Sequence, residues 1–135
     1  MRIYLAAPYH RRFEMLGVAA SLMRAGHDVT SRWIEGGQGG AASGDPQQVV
    51  AIEDLDDLHR ADCVVTFTAR AREAAPARTP RSRGDVELGF ALATGKRLCV
   101  VGPRETALHH LRRVEVYTNV AAFIDGLQAG APDRD

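Results

Sequence analysis

The sequence predicts an α/β domain in which a parallel sheet of about five strands is flanked by helices. Four short apolar runs, RIYLAA, HDVTSRWI, DCVVTF and RLCVVGP, alternate with segments that have helical spacing, and VEVYT adds a fifth run. This alternation is typical of βαβ units. A chain of 135 residues with 45% hydrophobic and 25% charged residues is long enough for one such domain around one core.

The bulk composition limits the possible partners. The 17 Lys and Arg residues balance the 17 Asp and Glu residues, so no overall field attracts nucleic acid or a membrane surface. No apolar run is long enough for a membrane span or a signal peptide. Cys63 and Cys99 each lie in an apolar run, as core thiols do in a reducing compartment. We expect a cytoplasmic protein with one domain over residues 1–130 and a disordered tail over 131–135.

Helical periodicity gives the expected packing faces. In the first helix Leu16, Ala19, Ala20 and Met23 share a face that would pack on the sheet, and Gly26 ends the helix. The second helix begins at Pro46 and turns an acidic face away from its apolar one. Its expected core residues are Val49, Ile52, Leu55 and Leu58 or His59. The segment DVELGFALATG is apolar nearly all round, as in a helix buried between a sheet and a partner, and Gly95 ends it.

Ligands of an open parallel sheet bind beyond the carboxyl ends of its strands, near the point where the strand order reverses. The segments that follow the strands are APYHRR, a glycine-rich loop, an arginine-rich loop and GPRETALHH. The arginine-rich loop contains Arg70, Arg72, Arg78, Arg81 and Arg83, with Glu73 as its acidic residue. Two interpretations are open for this loop: an anion site, or a solvated basic segment.

Two other patterns carry little weight. GQGGAA at residues 37–42 has the letters of a dinucleotide fingerprint, but it follows the second strand and runs into Ser-Gly-Asp-Pro, which favours a flexible loop. His109 and His110 are neighbours, and neighbours on a helix point about 100° apart. No other histidine has ligand spacing, so we expect neither a metal nor a cofactor.

Four residues near the expected ligand end are candidates for chemistry. Glu87, in the first turn of its expected helix, either complements the helix dipole or is a carboxylate that the dipole keeps ionised as a nucleophile. In the acidic run EDLDD, which is a solvated face by default, Asp54 and Asp57 lie about one turn apart and one of them could reach over the sheet edge. Tyr4 is a core residue whose hydroxyl needs a partner. If the first and fourth strands are adjacent, that hydroxyl and Glu87 come from neighbouring strand ends.

IYLAAPY, DLDDLHRADCVVTF and RGDVELGFALATGKRLCVV resemble the nucleoside 2-deoxyribosyltransferase family, which includes the 2′-deoxynucleoside 5′-monophosphate N-glycosidases. The similarity runs in order across residues 2–111, and ELGFALATGK is its most specific block. It agrees with a Rossmann-like or flavodoxin-like domain.

The resemblance implies a role for each matching residue. Glu87 would attack the anomeric carbon of the sugar, Tyr4 would orient Glu87, and Asp54 would contact the base and help to protonate it. His109 falls where the family places a polar residue that a neighbouring subunit donates to the 5′ end of the substrate. A homodimer or a higher homo-oligomer with sites near the interface is therefore expected.

One position departs from the family pattern. Six residues before Glu87 the transferases have an aspartate and the monophosphate hydrolases a serine, whereas this chain has Arg81. An arginine suits a phosphate group. Arg11 and Arg12 lie where the hydrolases bind phosphate, and Arg83 and Gly84 at the helix start would add anchoring. Trp33, at the end of the second strand, either stacks on the base or belongs to the core or an interface.

These observations favour an enzyme that cleaves the N-glycosidic bond of a (2′-deoxy)nucleoside 5′-monophosphate through a covalent glycosyl-Glu87 intermediate. The preference for a deoxy sugar comes from the resemblance alone. A deoxyribosyltransferase acting on free deoxynucleosides is the nearest alternative. A nucleotide-binding module without activity and an interaction domain that uses its arginine-rich loop are alternatives from other classes.

Overall fold

Five parallel strands form one sheet in the order β2-β1-β3-β4-β5 within residues 1–36, 45–69 and 83–130, which the computed structural model describes. The strands are β1 (Arg2–Ala6), β2 (Asp28–Val29), β3 (Cys63–Phe67), β4 (Arg97–Val101) and β5 (Val114–Tyr117). The α-helices are α1 (Arg12–Arg24), α2 (Pro46–Arg60), α3 (Arg83–Ala93) and α4 (Val120–Leu127), with short 3₁₀ helices at Tyr9–Arg11, Arg32–Glu35 and Ala107–His110. The predicted α/β class is confirmed, and the observed strand order is that of flavodoxin-like folds.

The strand order reverses beside β1. In open parallel sheets, ligands bind at such a point, which here lies at the carboxyl ends of β1 and β3. Right-handed crossovers put α1 on one face of the sheet and α2 and α3, which contact each other, on the opposite face. All five residues of β3 are buried because helices cover both faces of the sheet. Cys63 and Cys99 are free thiols in this core. No helix in the described ranges is long and apolar enough to cross a membrane.

The first and fourth strands are not neighbours, contrary to the adjacency considered from the sequence. β1 pairs with β2 and β3, and β4 pairs with β3 and β5. Glu87 nevertheless comes near Tyr4 because α3 packs over β3, the strand that lies between β1 and β4. The predicted helix stops are confirmed, since Gly26 (φ 92°) and Gly95 (φ 71°) follow α1 and α3 in the left-handed conformation that glycine favours.

The predicted packing face of α1 is correct at Ala19 but is otherwise shifted by about one residue. Leu16 and Met23 are exposed, whereas the helix buries Met15, Val18, Ala19 and Leu22. Both sets have helical spacing and differ only by a rotation of about 100°, so periodicity could not choose between them.

The predicted apolar face of α2 is correct at Leu58, which is buried, and wrong at two other positions. Ile52 and Leu55 are 59% and 50% exposed, while Asp57 of the acidic run is fully buried next to Leu58. Asp57 can be buried because two arginines satisfy its carboxylate. Asp45 caps the start of this helix by accepting a hydrogen bond from the backbone N–H of Gln47.

The second strand is shorter than predicted. β2 ends at Val29, and Trp33 lies in the 3₁₀ helix Arg32–Glu35. Its indole is buried and Nε1 donates to the Leu5 carbonyl at 2.8 Å, so Trp33 is a core residue and is not free to stack on a base. Ser31 Oγ accepts the Leu5 N–H at 2.6 Å, and this side-chain bond takes the place of a further ladder bond.

A buried ion pair ties β4, β5 and α4 together at the amino end of the strands. Arg97 and Glu115 have side-chain exposures of 5% and 12%, and two guanidinium nitrogens donate to the two carboxylate oxygens at 2.6 and 2.7 Å. Arg97 also donates to the carbonyls of Gly126 and Leu127 at the end of α4, at 3.0 and 3.4 Å. Tyr117 completes the cluster by donating its hydroxyl to Glu115 at 2.7 Å.

Candidate active site

The structure brings Tyr4, Asp54 and Glu87 together on one side of the sheet. They come from β1, α2 and α3, and we call them the acidic cluster. Burial raises the pKa of Tyr4, and the negative charges of Asp54, Glu87 and Asp57 raise it further. The hydroxyl therefore stays protonated and remains a hydrogen-bond donor at neutral pH. No hydrogen bond joins Tyr4 to Glu87, so the orienting contact implied by the resemblance is not made in this conformation.

The Glu87 carboxylate is largely shielded from solvent. It lies in the second turn of α3, and the acidic residue of the first turn is Asp85, which corrects the expected position. Its Oε2 atom is buried and has no hydrogen-bond partner among the described residues. Burial raises the pKa of Glu87, its own backbone N–H opposes this, and the charges of Asp54 and Asp85 add to the increase. Burial and the neighbouring negative charges thus oppose the ionised form of Glu87 that a helix dipole would favour.

Asp54 has the environment of a proton donor. It is half-buried, and burial raises its pKa, with the charges of Asp57 and Glu53 adding to the effect and Arg32 opposing it. A carboxyl group whose pKa is raised toward the working pH can be protonated at the start of a reaction and give up that proton.

Asp57 does not face the crevice. Its side chain is fully buried, and Oδ2 accepts the backbone N–H of Arg32 at 2.9 Å. Oδ1 accepts from the Arg32 and Arg60 guanidinium groups at 2.8 and 2.7 Å. Asp57 was predicted to contact the substrate. In the structure its carboxylate instead joins α2 to the 3₁₀ helix after β2.

Of the predicted phosphate ligands, Arg11 is already occupied. Its side chain is 8% exposed, and it donates to the Thr68 carbonyl at 2.8 Å and to Glu14 at 2.7 and 3.1 Å. Arg12 is different: its guanidinium lies over the rings of Phe13 and Tyr9, with its central carbon 4.4 and 5.6 Å from the ring centroids. Arg12 makes no hydrogen bond or ion pair within the described ranges, so its donors are available to an anion.

Several predicted features fall outside the described residues. They are the glycine-rich motif at 37–42, the arginine-rich loop with Arg81, the side chain of Arg83 and the tail at 131–135.

Gly84 allows α3 to approach the end of β3 closely. A Cβ atom at this position would lie 2.5 Å from Cγ2 of Thr66. Thr66 is 4% exposed, and its Oγ1 is buried without a partner within the described ranges. Thr66 was not predicted as a site residue, although a hydroxyl residue inside the apolar run CVVTF is a visible signal in the sequence.

His109 is buried within its own chain, 2% exposed, which corrects the expectation that it serves a neighbouring subunit. Nδ1 accepts the backbone N–H groups of Glu105 and Thr106 at 2.9 and 3.4 Å, so the neutral ring carries its proton on Nε2. Nε2 lies 3.9 Å from Asp85 Oδ1, which accepts the Thr106 hydroxyl at 2.9 Å. Burial lowers the pKa of His109 despite the nearby charges of Asp85 and Glu105.

Within the described ranges, no group of three His, Cys, Asp or Glu side chains lies close enough together to hold a metal ion. The chemistry open to the acidic cluster is proton transfer and nucleophilic attack by carboxyl groups.

The sequence matches no family model and no curated protein. Among solved structures, the fold is similar to that of the CMP N-glycosidase BcmB from Clostridium botulinum. The two share 18% sequence identity and superimpose with a TM-score of 0.59, over 96% of this chain and 100% of that chain. At this level of identity, the similarity shows that the two chains share a fold.

Proposed function

We propose that this protein is an enzyme that cleaves the N-glycosidic bond of a nucleoside 5′-monophosphate and releases the free base and a sugar 5-phosphate. The observation that carries the proposal is the buried, unpartnered Oε2 of Glu87, held beside Tyr4 and Asp54 where the strand order reverses. The fold similarity to a CMP N-glycosidase supports the choice of substrate class.

In the first step the ionised Glu87 carboxylate attacks the anomeric carbon while the bond to the base breaks, through an oxocarbenium-like transition state. The electron pair of the broken bond goes to the base nitrogen, and Asp54 supplies the proton that the departing base needs. A covalent glycosyl ester of Glu87 results. The raised pKa of Asp54 matches this task because the group must begin the step protonated.

In the second step water attacks the same carbon from the face that the base has left. Asp54, now ionised, accepts a proton from the water, and the ester bond to Glu87 breaks. Glu87 returns as a carboxylate and sugar phosphate is released. Tyr4, which remains protonated, supplies a donor beside the carboxylate as its charge is restored.

The 5′-phosphate would bind to cationic groups at the carboxyl ends of the strands. Arg12 has unused donors, and the sequence adds Arg81 and Arg83 from the arginine-rich loop. A guanidinium group binds a phosphate through two parallel charge-assisted hydrogen bonds. These contacts would hold the substrate equally in the ground state and the transition state, and would therefore lower KM more than they raise kcat.

The first test is a panel of ribo- and deoxynucleoside 5′-monophosphates with the corresponding free nucleosides, in which released base is measured by chromatography. We expect base from one or more monophosphates and at least tenfold less from the matching nucleosides, because of the phosphate contacts. Base exchange on free nucleosides in the presence of a second base would favour a transferase instead. If no compound released base, the enzymatic proposal would be rejected.

Asp54→Asn should lower kcat by about 10²- to 10⁴-fold, because the amide cannot protonate the leaving base. In the wild type, kcat should fall as the pH rises through the raised pKa of Asp54, and the variant should lose that alkaline limb. A nucleotide with an N7-methylated purine is the matched substrate. Its base is already cationic and leaves without a proton, so Asp54→Asn should reduce the rate on this substrate far less. Asp125→Asn, at an exposed position of α4, is the control variant for loss of a carboxylate. Equal losses on both substrates would contradict the role of general acid.

A further inference from the structure

Asp85 connects the first turn of α3 to the segment 105–109, which follows β4. Its Oδ1 atom accepts the hydroxyl of Thr106 at 2.9 Å, and Nε2 of His109 lies 3.9 Å from the same oxygen. An acidic residue in the first turn of a helix complements the helix dipole, and that role requires no partner from another part of the chain. The bond to Thr106 joins residues 21 positions apart and therefore indicates a second role.

The segment that holds Asp85 is closed around a buried imidazole. Nδ1 of His109 accepts the backbone N–H groups of Glu105 and Thr106 at 2.9 and 3.4 Å. Glu105 also joins the segment to the chain that leaves β3, because its Oε1 atom accepts the backbone N–H of Ala69 at 2.6 Å. The hydroxyl that binds Asp85 therefore belongs to a segment that is itself held by several hydrogen bonds.

His109 offers a second donor beside the same carboxylate. Because Nδ1 accepts, the proton of the neutral ring lies on Nε2, and this atom is buried with no hydrogen-bond partner within the described ranges. An unpaired buried donor is unfavourable and requires an explanation. The separation of 3.9 Å from Asp85 Oδ1 is roughly 1 Å longer than a hydrogen bond. Asp85 thus has one donor bound and another within a short movement.

The turn that carries Asp85 also sets the position of Glu87, which follows it by two residues on the same helix. The residue before Asp85 is Gly84, and it packs closely on the sheet, since a Cβ atom there would lie 2.5 Å from Cγ2 of Thr66. The start of α3 is therefore held both by β3 and by the segment 105–109. A change in either contact would move the Glu87 carboxylate.

The negative charge of Asp85 also acts on Glu87. Burial raises the pKa of Glu87, and the charges of Asp54 on α2 and Asp85 on α3 raise it further. Tyr4 on β1 stays protonated and adds no charge. Repulsion between Asp85 and an ionised Glu87 is relieved when Glu87 forms a neutral ester. The same negative charge favours the positive charge that develops on the sugar in the transition state.

We propose that Asp85 is a positioning residue for Glu87, and that Thr106 and His109 hold Asp85 in place. The inference rests on the proposed function, in which Glu87 is the nucleophile. In this role Asp85 acts through Glu87 and not through contact with the substrate. The segment after β4 thereby contributes to the reaction from within the same chain.

The first test measures kcat and KM for base release in Asp85→Ala, Thr106→Val and the double variant. Each single change should lower kcat by about 10- to 100-fold with KM nearly unchanged, because the nucleophile is displaced while the substrate contacts remain. The double variant should be no slower than the slower single variant, since Thr106 acts through Asp85. Thr106→Ser keeps the hydroxyl and should retain most of kcat. Asp125→Asn, at an exposed position of α4, is the control.

The second test follows the ionisation of Glu87. Asp85→Asn keeps an oxygen that can accept from Thr106 and removes the charge. The acid limb of kcat/KM should move to lower pH in this variant, because the charge of Asp85 raises the pKa of Glu87 in the wild type. An NMR titration of the Glu87 carboxyl carbon, assigned by its loss in Glu87→Gln, should show the same decrease without any substrate.

The outcomes separate this inference from the proposed function. Losses in kcat that add in the double variant, or a Glu87 titration unchanged by Asp85→Asn, would overturn the inference and leave the glycosidase proposal standing. A lower urea midpoint with unchanged kcat would show that Asp85 is only a helix cap. If the wild type releases no base, the glycosidase proposal fails and the NMR titration decides whether Asp85 acts on Glu87. If Asp85→Ala does not fold, Asp85→Asn and Thr106→Ser decide the question.

Discussion

Glu87→Gln should abolish base release from nucleoside 5′-monophosphates, with kcat reduced by at least about 10³-fold. The amide has nearly the shape of the carboxylate but lacks its negative charge, so it cannot attack the anomeric carbon. The fold should survive the change, because Oε2 of Glu87 has no hydrogen bond to lose among the described residues. Burial raises the pKa of this group in the wild type, so removing its charge also removes a desolvation cost.

The measurement is a single-turnover assay of base release together with the intact mass of the protein. A 2′-fluoroarabino nucleotide, which slows hydrolysis of the glycosyl ester, should add the mass of one sugar phosphate to the wild type and none to Glu87→Gln. Asp125→Asn, on the exposed side of α4, is the control for loss of a carboxylate. Retention of more than one tenth of the activity in Glu87→Gln, or an adduct on another residue, would show that the nucleophile has been misidentified.

Arg97→Met should destabilise the protein by about 3–5 kcal/mol, since it leaves the buried Glu115 carboxylate without its cation. The α4 carbonyls of Gly126 and Leu127 lose their donor at the same time. Urea unfolding at pH 7, followed by circular dichroism, measures the difference as a lower midpoint. The double variant Arg97→Met with Glu115→Met is the matched control, because replacing a whole buried ion pair by apolar residues is commonly neutral or stabilising.

The pH dependence provides an independent check on this pair. Burial alone would raise the pKa of Glu115, but hydrogen bonds from Arg97 and Tyr117 and the charge of Arg97 outweigh it, and the net pKa is lowered. The stabilisation is therefore present above the pKa of the unfolded chain and is lost as the pH falls through the lower pKa of the folded protein. The double variant should lack this acid-side loss. A midpoint for Arg97→Met equal to that of the wild type, or a double variant as unstable as the single one, would contradict the assignment.

Much of the fold follows from patterns local in sequence. The apolar run of β3 and the glycines after α1 and α3 indicate a buried strand and two helix ends, and the structure confirms them. The faces of α1 and α2 were predicted only in part, because they depend on partners distant in the chain. Asp57 is buried since Arg32, 25 residues away, and Arg60 satisfy its carboxylate, and no periodicity reveals that bond.

The residues of the candidate site were likewise predicted only in part. The sequence indicates Tyr4, Asp54 and Glu87 as a group, and the fold brings them together, although their roles remain predictions. Arg11 was expected to bind phosphate, but Glu14, three residues further along the chain, and the carbonyl of Thr68 occupy its donors. Thr66 was missed because its significance depends on what its neighbours lack, and a hydroxyl without a partner is visible only in three dimensions.

The close contact between Gly84 and Thr66 has a consequence for substrate range. At this contact the backbone of α3 packs on the methyl group of Thr66, and a side chain at position 84 would not fit between them. Backbone of this kind cannot move aside for a larger group as a flexible side chain would. Under the proposed function, the part of the substrate that meets this contact would be limited in size.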